Sequence, residues 1–266
     1  MDAAVLTLAE ALERAPRPTL VWGEGISALP SAAGGAGPLT FFTDDLITAR
    51  ALCCDSGVAP PGRGYERIAL RVPKAKALLE LRLRVAASLL APGGELWVAG
   101  HGHDGIKGAA RLLAGVAGPV EVVRLKRRCR VLGARVARPA EPVDLASFAR
   151  RFKVPAPGGP LAVTSLPGVF NHGALDRGTA LLLEQLGAAV PAWKRVLDLG
   201  CGAGVLGAWI ARRKPTATVE LLDVSATAVA ASRQTLSDNG LDAVVHHALV
   251  DELPEAVYDL VVSNPP

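Results

Sequence analysis

Short apolar runs of strand length alternate along the chain with longer stretches whose apolar side chains recur at helical spacing. That alternation is the signature of an α/β protein with a mostly parallel sheet, and two such units are predicted. In the first, Thr19 to Trp22 and Tyr65 to Val72 read as strands and Lys74 to Leu90 as an amphipathic helix, with a strand over Glu95 to Ala99 entered through the Pro92-Gly93-Gly94 turn. A helix from about Ile106 to Val116 and a basic strand pair from about Val120 to Ala137 complete it. The Pro- and Gly-rich segment Val154 to Pro160 reads as the boundary, which gives domains at 1–155 and 156–266. In the second unit a helix over Leu175 to Gly187 precedes strands at Arg195 to Leu199, Thr218 to Asp223 and Tyr258 to Ser263. Helices are expected over Gly204 to Arg213 and Ala226 to Asn239, with a short strand near Ala243 to Ala248. The last of these strands belongs inside an open sheet, so an uncovered apolar edge is expected there, as in a piece of a longer chain. Tyr65 to Pro73 (YERIALRVP) aligns without gaps with Tyr258 to Pro266 (YDLVVSNPP), a sign of internal duplication in which Arg71 stands where the later copy has Asn264.

Composition narrows the class. With 266 residues, half of them apolar and a fifth charged, the chain can bury a sizeable core in two modest domains. No apolar run reaches the roughly 18 residues of a membrane span, and the first residues lack the flank and cleavage site of a secretory signal. A soluble, cytoplasmic monomer is expected. Cys53, Cys54, Cys129 and Cys201 form neither a disulfide ladder nor a metal-binding pair. His101-Gly-His103-Asp104 offers no further ligand downstream, so no metal site is expected. The small excess of Lys and Arg (29 against 25 acids) is unevenly placed. Arg124, Lys126, Arg127, Arg128 and Arg130, with Arg135 and Arg138 beyond them, fall in a stretch whose one acid is Glu121. They are the candidate contacts to a phosphate backbone, the alternative being a solvated sheet edge.

Three local signals carry chemistry. Val196-Leu-Asp-Leu-Gly-Cys-Gly-Ala-Gly204 runs from an apolar strand into a glycine-rich turn and a helix. Gly200, Gly202 and Gly204 permit a tight turn and close approach to a ligand at a helix N-terminus. Dinucleotide sites use similar turns, but Asp198 at the strand tip would repel a pyrophosphate and suits a ligand with a cationic amino-acid end. Asp223 closes the next strand, where a carboxylate meets ribose hydroxyls in doubly wound sheets. Finally, Ser263-Asn264-Pro265-Pro266 follows the strand YDLVV. The lone pair of an exocyclic amine on a base is delocalised into the ring. The amide oxygen of Asn264 and the carbonyl of Pro265, made rigid with Pro266, can accept its hydrogens and turn that lone pair toward an electrophile, a catalysis of positioning and polarisation.

Asp198 to Gly204, Asp223 and Ser263 to Pro266 together resemble the motifs of class I S-adenosylmethionine-dependent N-methyltransferases. With Ser165-Leu-Pro-Gly-Val-Phe170, Leu175-Asp-Arg-Gly-Thr179, Arg71 to Lys74 and Leu90 to Gly100 they resemble more closely the bacterial 16S ribosomal RNA guanine-N2 methyltransferases. The resemblance spans about residue 60 to 266. It implies two tandem Rossmann-like methyltransferase domains: an N-terminal one that has lost its cofactor loop and serves as RNA-docking scaffold, and a C-terminal one, here incomplete, that binds S-adenosylmethionine. It further implies methyl transfer to guanine N2 in ribosomal RNA or the small ribosomal subunit, with Phe170 and Leu175 to Thr179 helping to close the cofactor pocket. Where such enzymes place a polar residue after the third strand to meet the adenine, this chain has Ala248-Leu-Val, with Asp251 nearby but offset. N6-adenine and protein-glutamine methyltransferases share the Asn-Pro-Pro motif and remain alternatives, as does a catalytically silent RNA-binding protein.

Overall fold

A computed structural model describes residues 2–189, 192–253 and 258–265, and the chain divides into two compact units, residues 1–145 and 146–266.

In the first unit α1 (Ala3–Arg14) is capped by Asp2, whose carboxylate accepts from the Ala4 and Val5 N–H groups. Its apolar face, Val5, Leu8, Ala9 and Leu12, has the i, i+3, i+4, i+7 spacing of a core helix, although α1 was not among the predicted elements. The chain continues through β1 (Thr19–Trp22), α2 (Leu29–Ala32), β2 (Leu39–Thr43), α3 (Leu46–Leu52), β3 (Asp55–Ser56), β4 (Tyr65–Arg71) and α4 (Lys76–Leu89). It ends with β5 (Leu90–His101), α5 (Ile106–Ala117), β6 (Val120–Lys126) and β7 (Cys129–Arg135). The strands form one seven-stranded sheet in the order β3-β2-β1-β4-β5-β7-β6, parallel except for the antiparallel pairings of β7. Arg127 and Arg128 make the two-residue turn between β6 and β7 with φ of 53° and 59°, a left-handed pair that such turns usually fill with Asn and Gly.

The second unit opens with β8 (Arg150–Val154) paired antiparallel to β9 (Leu161–Ser165). The segment predicted to link domains is therefore a hairpin loop inside the second compact unit, which begins at residue 146. Pro and Gly serve a tight loop as well as a linker, with Gly158 and Gly159 at φ of 76° and 121°. Val154 and Leu161 at the hairpin's ends are fully buried. After them come α6 (Arg177–Ala188), β10 (Arg195–Leu199), α7 (Val205–Arg213), β11 (Thr218–Asp223), α8 (Ala226–Asp238), β12 (Val244–His247) and β13 (Leu260–Val262). Four of these strands form a parallel sheet in the order β12-β11-β10-β13.

Both units are α/β and Rossmann-like, and β3-β2-β1-β4 repeats the order β12-β11-β10-β13. Register makes the correspondence residue-specific. Val21 lies beside Ala69 and Asp198 beside Val262, so Arg71 and Asn264, each two residues farther on, hold equivalent places, as the sequence alignment implied. No helix among the described residues is long and apolar enough to cross a membrane.

Candidate functional site

The turn after β10 takes its shape from glycines at φ of 72° (Gly200), 56° (Gly202) and 74° (Gly204). Gly200 and Cys201 donate their N–H groups to the Leu222 carbonyl at 2.9 and 3.0 Å, tying the turn to β11. Gly204 starts α7, and a Cβ there would lie 2.9 Å from Ser232 Oγ, so glycine is required on two counts.

Asp198 is 1% exposed and its Oδ2 accepts the Gly207 N–H of α7 at 2.8 Å. Burial pushes its carboxyl up to about 7; the Gly207 N–H opposes that rise and the charge of Asp223 adds to it. Asp223 accepts from Gly202 N at 3.0 Å with Oδ2 and from Ser225 N at 2.9 Å with Oδ1. It thus pins the glycine turn to the start of α8. An ionised carboxylate has about four lone-pair sites, so further donors can still be accepted.

These groups line a cavity of about 360 Å³ at the carboxyl ends of β10 and β11, the place where open α/β sheets bind ligands. Val169 and Ala228 supply an apolar wall, and Phe170, 62% exposed, stands at the rim. Asn264 enters from beyond β13, where Ser263 Oγ donates to the Leu199 carbonyl at 2.9 Å. Asn264 Nδ2 donates to Asp176 Oδ2 and to Thr179 Oγ1, each at 3.0 Å. Asp176 in turn caps α6 by accepting the Gly178 and Thr179 N–H groups. Burial raises its pKa, but hydrogen bonds from Thr179, Gly178 and Asn264 more than offset this and leave it below the ordinary value. Three carboxylates, Asp176, Asp198 and Asp223, therefore line one cavity. Such a wall repels a pyrophosphate and fits a ligand that brings positive charge and hydroxyl donors.

The structure brings together most of the residues anticipated for this site, Asp198, Gly200, Gly202, Asp223, Phe170 and Asn264. Gly204 instead packs against Ser232 at the start of α7 and is off the cavity wall. Asp251 also departs from expectation: residues 250–252 form a single 3-10 turn that leaves it exposed and away from the cavity. Pro265 is exposed, and Pro266 lies outside the described residues. Asp176 lies in the Leu175 to Thr179 segment that the resemblance assigns to closing the pocket; the helix starts after it rather than at Leu175, and as the N-cap Asp176 adds a third carboxylate to the cavity. In the first unit, Arg124, Lys126 and Arg127 all bind Glu10 of α1, so the basic stretch is partly neutralised from a helix the sequence pattern had not revealed. Arg128 is exposed and Arg130 half-buried. Among the described residues no cluster of three or more His, Cys, Asp or Glu could hold a metal; His101 Nδ1 accepts the His103 N–H within a short turn.

Residues 160–266 match the family model of the methyltransferase small domain, and residues 44–152 match that of its N-terminal companion. The chain is 46% identical over 214 residues to ribosomal RNA small subunit methyltransferase C of Pseudomonas entomophila, covering 80% of this chain and 63% of the relative. It is 44% identical over 211 residues to the protein of that name from Pseudomonas fluorescens, covering 79% and 62%. It thus spans slightly under two thirds of the length of these curated relatives. A solved structure of the 16S rRNA N2 methyltransferase of T. thermophilus, in complex with AdoMet and guanosine, superposes with a TM-score of 0.82 at 27% identity, over 97% of this chain and 74% of that one. Residues 160–266 therefore belong to the methyltransferase small domain family and residues 44–152 to its N-terminal companion family, and the chain as a whole is similar to proteins named ribosomal RNA small subunit methyltransferase C.

Proposed function

We propose that this chain takes part in transferring a methyl group from S-adenosylmethionine to the exocyclic N2 of a guanine in small-subunit ribosomal RNA, in the bacterial cytoplasm. The observation that carries the reading is one cavity shared by three carboxylates and Asn264. When bound, S-adenosylmethionine supplies a methyl group made electrophilic by a sulfonium. Asp223 would accept the ribose hydroxyls, the Gly200–Gly202 turn would admit the amino-acid end close to the backbone, and Asp198 would face positive charge there. Val169 and Ala228 form the apolar wall suited to a flat ring. On the substrate side, Asn264 Oδ1 and the Pro265 carbonyl would accept the two N2 hydrogens. This turns the nitrogen lone pair out of conjugation and toward the methyl carbon. One of those hydrogens leaves as a proton once the nitrogen carries the methyl group.

The substrate is polyanionic, and the tip of the β6–β7 hairpin offers exposed Arg128 with Arg127 beside it. Phosphates would compete with Glu10 for Arg124, Lys126 and Arg127, an exchange that weakens as salt rises.

The test is to incubate the chain with S-adenosylmethionine and small-subunit ribosomal RNA, digest the RNA and identify the methylated nucleoside by mass spectrometry. N2-methylguanosine that disappears with Asn264→Ala supports the reading. Methyl groups on adenosine, or on no nucleoside although the cofactor binds, would overturn it.

A further inference from the structure

We propose that Asp176 and Thr179 are positioning residues that lock the Asn264 amide so that its oxygen, and not its nitrogen, faces the target amine; this rests on the methyl-transfer reading above. The two ends of a side-chain amide are nearly identical in shape, and the partners alone decide which end meets a substrate. A carboxylate can only accept, so Asp176 Oδ2, 3.0 Å away, must face the NH₂ group. Thr179 Oγ1 accepts the other amide hydrogen at 3.0 Å, while its hydroxyl bonds back to Asp176. Both amide hydrogens are thereby used, and among the described residues no group donates to Asn264 Oδ1.

The lock is rigid because its base is a helix cap. Asp176 is held by the Gly178 and Thr179 N–H groups at 2.8 and 3.2 Å, and Thr179 is 8% exposed. Gly178 belongs to the same device. A Cβ at that position would lie 2.6 Å from Asn264 Oδ1, so only glycine leaves the oxygen room. In a reversed amide the NH₂ hydrogens would point at the hydrogens of the amine, and Oδ1 would face a carboxylate. Both contacts are repulsive in a partly desolvated site.

The chain has three asparagines, Asn171, Asn239 and Asn264, so selective ¹⁵N-asparagine labelling gives three side-chain amide signals, and loss of one in Asn264→Ala identifies it. In the wild type the Asn264 hydrogens should be well separated in shift and slow to exchange with water. Thr179→Val should speed their exchange and cut the single-turnover methylation rate by about 10- to 100-fold, with cofactor affinity by calorimetry within about twofold and Thr179→Ser restoring both readouts. Asp176→Asn keeps a good cap yet offers either end of its own amide, so it should slow methylation while leaving the melting temperature nearly unchanged. Unchanged Asn264 signals and rate in both Thr179→Val and Asp176→Asn would overturn the proposal, as would a rate loss that merely follows lost cofactor binding. If the wild type leaves guanine unmethylated, the functional reading fails separately, and the amide signals alone then decide whether the orientation is locked.

Discussion

The turn after β1 and the turn after β10 occupy the same place in two sheets that share a four-strand order, yet one is filled and the other is open. In the second unit Asp198 stands at the strand tip and Asn264 beside the cavity. In the first, fully buried Val21 takes the place of Asp198, and Arg71 takes the place of Asn264. The Arg71 side chain runs along the turn Gly23-Glu24-Gly25: a Cβ at Gly23 would lie 2.9 Å from Arg71 Cβ, and one at Gly25 would lie 3.9 Å from its guanidinium. Arg82 of α4, 1% exposed, pairs with Glu24 and with Asp44, the latter at 2.7 Å, and lies 5.3 Å above the Trp22 ring. Burial pushes Asp44 up to about 7 although Arg82 lowers it, with neighbouring Glu24 adding to the rise. In the first unit the cations beside the turn are the chain's own side chains, Arg71 and Arg82; in the second no Lys or Arg stands among the described residues that line the cavity.

The largest effect should come from removing the resident cation. Arg82→Met leaves Glu24 and Asp44 without their counterion and should cost the first unit about 3 kcal/mol, the lower end for a broken buried pair because Glu24 is a third exposed. Urea unfolding measures it, and a loss under about 1 kcal/mol would mean that the two acids share a proton and need little from Arg82. Next in size is the cofactor contact proposed for Asp223. Asp223→Ala should weaken S-adenosylmethionine binding about 10- to 100-fold, whereas Thr43→Ala, at the equivalent strand position, should leave it unchanged. Calorimetry should find one site per chain, and a second site sensitive to Thr43 would mean that the first unit also binds the cofactor.

A pH dependence should distinguish Asp198 from Val21. The folded-state carboxyl titrates at about 7, whereas in the unfolded chain it titrates near its ordinary value, about 4. Between these values the folded form holds the proton and the unfolded form has lost it. The contribution of Asp198 is therefore fully present below about pH 4 and is lost as pH rises through about 7. Asp198→Asn should flatten the fall in thermal midpoint across that window; an unaltered slope would assign it to other groups. The smallest effect is expected at Gly25, whose φ is 64° and where a Cβ would make only ordinary contact with the Arg71 guanidinium, at 3.9 Å. Gly25→Ala should cost about 1 kcal/mol for its left-handed backbone. Gly204→Ala should cost more, since its new methyl also meets Ser232.

Much of this architecture was legible in the chain. The strands at Thr19–Trp22, Arg195–Leu199 and Thr218–Asp223 lie where their apolar runs placed them. Asp198, the glycine turn, Asp223 and Asn264 converge because each follows a strand of one parallel sheet, and strand ends in such a sheet share an edge. The residues that failed to converge depended on contacts that local spacing does not encode. Asp251 follows β12 closely in sequence, but a single 3-10 turn carries it into solvent. The Pro- and Gly-rich composition of Val154–Pro160 serves a hairpin loop and a linker equally.

The sequence by itself determined the order of elements, the glycines whose left-handed backbone shapes the turn, and the acids at the strand ends. These are consequences of periodicity and of residue chemistry acting within a few positions. Tertiary structure alone decided which charges meet. Glu10 gathers three cations from the β6–β7 hairpin, Arg82 lies between Glu24 and Asp44, and Asp176 turns the amide of Asn264 across 88 residues. Pairings of that kind depend on distances of a few ångströms between segments remote in sequence, and only the packed chain brings those segments together.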